Sequence, residues 1–428
     1  MTILILFGTL FLFIIINVPI AIALGLSSIF TILFATNMNL TIVAQRAFTS
    51  LDSFPLMAIP FFMLAGILMG KGGVSKRILN FASALVGWIV GGLAMVTVVA
   101  CMFFSAISGS GPATVAAIGS FMIPEMKRRN YGEGFASAIT AASGSIGVII
   151  PPSIPFVLYG VVGSVSVGSM FLAGIIPGII IGICLLAISY VISKKNDYKP
   201  AVESFSFKDV VRTFWDAKWA LLIPFIILGG IYGSVFSPTE AAVVAVVYAI
   251  VVGLFVYREL SWKDVYDSLS EAAVINGATM IIIGLSISFS FLMTSERVPM
   301  TIAEFLTNLS QNPFVILLLI NILLLIVGAF IDTISALVVL APILLPVVTG
   351  LGVDPVHFGV VLVANLAIGF ITPPVGVNLF VASNISGTRI ESISKAILPI
   401  LLVLIVSLLI ITFVPSLSLY LPELYNGR

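Results

Sequence analysis

The stretch SAISGSGPAT, Ser105 to Thr114, lies between two apolar segments that are each too short to cross a bilayer. Ahead of it, Gly91 to Phe104 supplies 14 apolar or small residues. Behind it, Ala113 to Ile123 supplies 11, closed by Pro124 and the basic run Lys127, Arg128, Arg129. A helix that crosses the hydrocarbon layer needs about 20 residues. Two half-length helices meeting at a Ser/Gly/Pro tip are tolerated at membrane depth only where the tip is buried in protein or lines a wet cavity. The stretch therefore predicts the tip of a re-entrant hairpin over residues 91–126, in the setting of a transport site.

Composition agrees. Hydrophobic residues make up 60% of the 428-residue chain and charged residues 9%, against roughly 25% charge in a soluble domain. The fold class is an all-α polytopic membrane protein, embedded in the lipid bilayer. A net charge of +1 and the lack of any basic stretch interleaved with aromatics argue against a nucleic-acid partner. Cys101 and Cys184 lie in apolar segments and read as packing residues, and His357 is the single histidine, which leaves almost no material for a zinc site or a His-based triad. Apart from Asp332 and serines there is no convergent acid, base or nucleophile set, so the chain does not read as an enzyme. The N-terminus lacks a basic n-region and a small-residue cleavage site. Thr2 to Phe34 is expected to be one retained helix, kinked at Asn17 and Pro19.

Further along, residues 35–53 read as an interfacial helix and 74–88 as an amphipathic arm. Residues 131–164 form a crossing broken at GSIGVIIPPSIP, Gly144 to Pro155, because its glycines and prolines cannot all sit in a continuous helix. The same order returns later: an arm over 297–311, a hairpin over 313–348 with GAFIDTISA at its tip, and a crossing over 358–385 broken at AIGFITPPVGVN, Ala367 to Asn378. Pro124 and Pro346, Gly147 and Gly369, Pro151 and Pro373, Pro152 and Pro374, and Pro177 and Pro399 are all 222 residues apart. Residues 1–193 are thus expected to be a first repeat and 239–428 a second. Residues 194–238 join them, with 194–218 as a polar cytoplasmic loop. Lys and Arg concentrate on the cytoplasmic side. Alternating the crossings from that loop puts 16 of the 19 basic residues inside, leaves Arg46, Arg297 and Arg428 outside, and gives a cytoplasmic N-terminus and a periplasmic C-terminus. The hairpins then enter from opposite faces, so the repeats are inverted, a pattern of secondary transporters.

Two hairpin tips and two breaks would surround one point. Free carbonyls suit sodium ions, and free N–H groups at half-helix N-termini suit an anionic substrate. Ser110 and Asp332, 222 residues apart, are expected to cap the returning halves of their hairpins. Asp332 is the only acidic residue at a predicted tip and is a candidate for both cation and substrate. Ser105, Ser108 and Ser110 offer hydroxyls and carbonyls, and Ser153 is assigned to the substrate side. Gly144, Ser145, Val148 and Pro151 in one break, and Gly369, Thr372 and Asn378 in the other, are candidate cation ligands. Candidate substrate residues are therefore Ser108, Ser110, Ser153 and Asp332.

With SGSGPAT, then GSIGVIIPPSIP, then PPVGVN in the second half, the chain resembles the large membrane subunit of the tripartite ATP-independent periplasmic (TRAP) transporters over essentially its whole length. The sialic acid members look most similar. The resemblance implies a sodium-coupled importer of an organic acid in the bacterial inner membrane, with sodium as coupling ion and no other cofactor. It also implies an elevator mechanism in which both hairpins and both broken helices slide against a scaffold. Two partners follow: a small four-helix membrane subunit, expected as a separate polypeptide, and a soluble periplasmic substrate-binding protein. The family's sodium sites map onto Ser105, Ser108, Gly144 and Val148, and onto Gly328, Asp332, Gly369 and Thr372. Sialic acid is the first expectation for the solute. A TRAP importer of four-carbon dicarboxylates and a stand-alone ion-coupled anion carrier are the alternatives.

Overall fold

The structure is a computed structural model that describes residues 2–16, 18–310, 312–425 and 427, with backbone only at 303 and 305–309. Asn17, Gln311 and Arg428, which entered the reading of the kink, the second arm and the charge count, lie outside the described residues. No strand occurs among the described residues, and 8 helices are long and apolar enough to cross a membrane. In lipid the backbone must satisfy its own hydrogen bonds, which helices do within one segment.

The chain does not begin with one long helix. α1 (Thr2–Ile15) and α2 (Ile20–Ala35) pack side by side, and the Ser27 hydroxyl donates to the Leu6 carbonyl at 3.1 Å. Along one continuous helix those residues would be about 30 Å apart, so the two helices are antiparallel. Pro19 sits at the N-cap of α2, where it has no N–H to continue the preceding helix. Thr2 and Ala35 therefore lie at the same end of the pair. The single pass expected over residues 2–34 is thus an antiparallel pair.

Next come the short α3 (Thr41–Leu51), α4 (Ala58–Lys71) and the arm α5 (Val74–Val86). The first hairpin is α6 (Gly92–Ser108) and α7 (Gly111–Arg128), and the first broken helix is α8 (Glu133–Ser145) and α9 (Ile154–Val162). α10 (Val167–Lys195) leads to a connection much shorter than expected, because α11 (Phe207–Tyr232) already starts at Phe207. Ser206 caps it by accepting the Asp209 N–H at 3.3 Å. α12 (Pro238–Val251) and α13 (Trp262–Ser295) follow, each opened by a serine whose side chain and N3 carboxylate bond reciprocally. The arm α14 (Val298–Leu309), the hairpin α15 (Pro313–Phe330) and α16 (Thr333–Gly350), and the broken helix α17 (Pro355–Gly369) and α18 (Val377–Ser386) come next. α19 (Ile390–Phe413) and α20 (Ser416–Tyr425) end the chain. α7 and α16 start at 111 and 333, and α8 and α17 at 133 and 355.

Partners cross between the halves. α2 packs on α13 and α4 on α12; α18 packs on α7 and α8, and α9 on α16 and α17. α8 from Phe135 onward and α17 from His357 onward are buried on every side, which makes the broken helices the centre of the molecule. A chain of buried polar groups braces the second: Asn365 Nδ2 donates to Asn321 Oδ1 at 2.8 Å, and Asn321 Nδ2 donates to Thr412 Oγ1 at 3.0 Å.

Ion pairs gather basic residues at one end. Arg77 meets Glu259 at 2.7 Å, Lys71 meets Glu271 at 2.9 Å, and Lys127 meets Glu133 at 3.4 Å. There the connection after α10 is laced into the turn between α5 and α6. Gly91 N–H donates to the Tyr198 carbonyl at 3.0 Å, and Ala201 N–H donates to the Gly87 carbonyl at 2.7 Å. Tyr198 also stacks on Tyr131 at 4.2 Å between ring centroids.

Candidate functional site

Each hairpin tip rests on the break of its own half. At the first tip, Gly109 ends α6 in the left-handed region at φ 60°, where a side chain would be strained. Its carbonyl accepts the N–H of Ile154, the first residue of α9, at 3.3 Å. A Cβ on Gly147 would meet the Ser110 carbonyl oxygen at 2.6 Å, and one on Gly144 would meet Val115 at 2.2 Å. At the second tip the Ala329 carbonyl accepts the Gly376 N–H at 3.1 Å. A Cβ on Gly369 would lie 2.5 Å from the backbone of Gly328. Gly147 and Gly369 are small because backbone approaches backbone, and Gly144 because the Val115 side chain packs against it. Both breaks carry a cis Pro-Pro bond, at Pro151-Pro152 and Pro373-Pro374.

The two tip-and-break pairs also touch each other. The Phe370 ring lies against Gly111, where a Cβ would meet it at 3.3 Å. Asn378, fully buried in α18, donates from Nδ2 to the Ala141 carbonyl of α8 at 3.1 Å. Four irregular segments thus converge.

The candidate side chains divide by what they bond. Ser105 is buried and donates back to the Cys101 carbonyl at 2.5 Å, while its own carbonyl accepts the Gly109 N–H at 3.1 Å. Ser108 shares a 2.8 Å bond with Thr114, a residue the sequence reading did not single out. Asp332 caps α16 as expected: one oxygen accepts the Ser335 N–H at 3.0 Å and the other accepts the Ser335 hydroxyl at 2.6 Å. Ser110 occupies the equivalent N-cap position of α7, but its side chain makes no capping bond. The two tips therefore differ in kind. α16 starts behind a capped carboxylate, and α7 starts with its first N–H groups uncapped.

Ser153 is fully buried and caps α9, donating to the Val148 carbonyl at 2.5 Å and accepting the Phe156 N–H at 3.3 Å. Its hydroxyl closes the break. Ser145 donates to Ala142 and Thr372 to Ile368 within their own turns, and Pro151 is buried at the break. Among the described residues, three buried oxygens in the second hairpin and broken helix have no hydrogen-bond partner: Asn378 Oδ1, Thr333 Oγ1 and Asn365 Oδ1. Thr333 follows Asp332 directly. Thr114, Thr333, Ser335 and Phe370 were not anticipated. The spacing of Ser335 three residues beyond Asp332 was the available signal for one of them.

Several known proteins are similar to this chain. The isethionate TRAP transporter permease protein DctMQ of Oleidesulfovibrio alaskensis is 51% identical over 97% of this chain, which spans 66% of that relative's length. The C4-dicarboxylate TRAP transporter large permease protein DctM of Pseudomonas aeruginosa is 43% identical over 94% of both chains. The sialic acid TRAP transporter large permease protein SiaM of Vibrio cholerae is 38% identical over 96% of both. In fold, the chain is similar to the YdaH transporter of Alcanivorax borkumensis, with a TM-score of 0.63 at 14% identity over 89% of this chain and 87% of that one. These relatives are transporter permeases, not enzymes. The family described as tripartite ATP-independent periplasmic transporter, DctM component, matches residues 7–417, and the chain belongs to that family.

Proposed function

We propose that this chain is the large permease subunit of a sodium-coupled importer of a small organic anion in the bacterial inner membrane. It would work with a small four-helix membrane subunit and a periplasmic substrate-binding protein. The observation that carries the reading is the asymmetry of the two tips where the four irregular segments converge. Uncapped N–H groups at the start of a helix suit an anion. The α7 start, beside Ser108 and Ser110, therefore takes the acidic group of the solute. The second tip offers Asp332 and the unpartnered oxygen of Thr333, and the second break offers that of Asn378. Hard cations such as sodium are held by oxygen ligands, so these oxygens are the candidates for the coupling ion, with Gly328 and Gly369 in contact where the second tip meets its break.

The two halves are best read as inverted repeats. The hairpins and broken helices move together as an elevator against α1–α4, α10–α13 and α19, with α5 and α14 as arms. With α1 and α2 antiparallel, the same charge bias now places both termini on the periplasmic side. Relatives named for isethionate, four-carbon dicarboxylates and sialic acid share a small acidic solute. The proposal is therefore for that class, with sialic acid as one member rather than the first choice.

The test is uptake into proteoliposomes that hold this chain and its small partner, with binding protein outside and an inward sodium gradient. Isethionate, succinate and sialic acid are compared. Uptake that needs sodium and the binding protein supports the proposal. Uptake without binding protein would overturn the tripartite part, and sodium-independent uptake the coupling.

A further inference from the structure

We infer a phospholipid headgroup site at the basic end of the molecule, in the cleft between the arm α5 and the first turns of α11. The cleft encloses about 450 Å³. Lys76 and Asn80 enter it from α5, and Lys218 enters from α11. Lys218 Nζ lies 4.5 Å from the Trp215 ring centroid and 5.4 Å from that of Trp219, which holds the ammonium in place without neutralising it. Arg77 is committed elsewhere: it pairs with Glu259 at 2.7 Å and lies over Tyr257 at 3.7 Å. Lys76 and Lys218 form no ion pair among the described residues. Arg77 and Glu259 cancel, so Lys76 and Lys218 against Asp216 leave the cleft with one positive charge. An anionic headgroup such as that of phosphatidylglycerol carries one net negative charge, whereas the choline of phosphatidylcholine cancels its own phosphate.

The depth of the cleft favours a lipid over a soluble phosphate. The chain has 4 tryptophans, and all are exposed at this end: Trp215 and Trp219 at the cleft, Trp88 against Phe205 just before α11, and Trp262 three residues after Glu259. Exposed tryptophans mark the headgroup level of a bilayer. Phe207, 72% exposed, adds an apolar surface on the same stretch of α11. A headgroup bridging α5 and α11 would pin the arm that leads into the first hairpin. That consequence rests on the transport reading, whereas the binding itself does not.

The experiment is native mass spectrometry of the delipidated full chain titrated with phosphatidylglycerol or phosphatidylcholine, with glycerol phosphate as the soluble competitor. Phosphatidylglycerol is expected to be retained over phosphatidylcholine, undisplaced by equimolar glycerol phosphate. Each of Lys76→Gln and Lys218→Gln should weaken it about fivefold, and the pair about 25-fold. Lys208→Gln, at the same end but outside the cleft, should leave binding unchanged, and circular dichroism confirms that each variant is folded. Equal retention of the two lipids, displacement by glycerol phosphate, or an unchanged double variant would overturn the inference. Binding is read whether or not the chain transports, so its failure and that of the transport reading are separable.

Discussion

Gly369→Ala tests the contact on which the second tip-and-break pair depends. The added Cβ would lie 2.5 Å from both Cα and C of Gly328 and 2.8 Å from its oxygen. All three are backbone atoms, so no rotamer change relieves the clash. Restoring ordinary contact near 3.4 Å moves the tip away from the break by about 0.9 Å. Overpacking of this kind costs about 1–3 kcal/mol, and ~2 kcal/mol weakens the seated tip by roughly 30-fold. Two neighbours calibrate the result. Gly328→Ala meets Gly369 and Leu366 backbone at 3.1 and 3.2 Å and needs only a few tenths of an ångström, whereas Gly350→Ala has nothing within 4 Å. The assays are sodium-driven uptake in proteoliposomes and thermal unfolding in detergent. Uptake should fall at least tenfold for Gly369→Ala, less for Gly328→Ala, and stay level for Gly350→Ala, with the complex assembled in every case. Wild-type uptake and unfolding in Gly369→Ala would refute the seated-tip geometry.

The remaining expectations concern side chains. Asp332→Asn keeps an acceptor for the Ser335 N–H, so it should hold stability while uptake is lost; Asp332→Ala should also lower stability by about 1 kcal/mol, read as a drop in unfolding temperature. Equal uptake in Asp332→Asn and wild type would reduce the residue to a cap. Asn378→Ala removes an unpartnered oxygen and the tie to Ala141, so the sodium concentration for half-maximal uptake should rise several-fold; an unchanged sodium dependence counts against Asn378 as a ligand. Cysteines at Leu6 and Ser27, in a chain with Cys101 and Cys184 replaced, should cross-link, because α1 and α2 are antiparallel; a single continuous helix predicts no product.

The parts of the fold legible in sequence were those where glycine and proline interrupt an apolar run at half the needed length. That is why the first tip and both breaks fall where SGSGPAT, PPSIP and PPVGVN put them, whereas the second tip, at GAFIDTISA, has no proline and separates two 18-residue helices. The α1–α2 reversal was missed because hydropathy sums over a window and has no sense of chain direction. Pro19 was read as a bend in a continuing helix. The early start of α11 was hidden by its polar first turns, although Ser206 with Asp209 carries the capping spacing, as Ser261 with Asp264 does for α13. At the site, residue type was legible but commitment was not. Nothing in the sequence distinguishes the hydroxyl of Ser110, free of a capping bond, from that of Ser153, which is spent on Val148 and Phe156. The Asn321–Asn365–Thr412 chain joins residues 44 and 91 positions apart, and only tertiary packing brings them together.

The lacing of the connection after α10 into the turn at Gly87 to Gly91 bears on kinetics. If the first hairpin swings against its arm, the bonds from Gly91 to Tyr198 and from Ala201 to Gly87 must part and reform in each cycle. Backbone amides in so short a connection ordinarily exchange with deuterated solvent almost at once. These two would instead exchange only through such openings, slowly while the transporter idles and faster once sodium and solute set it turning. A surface loop far from the binding point would then serve as its turnover counter.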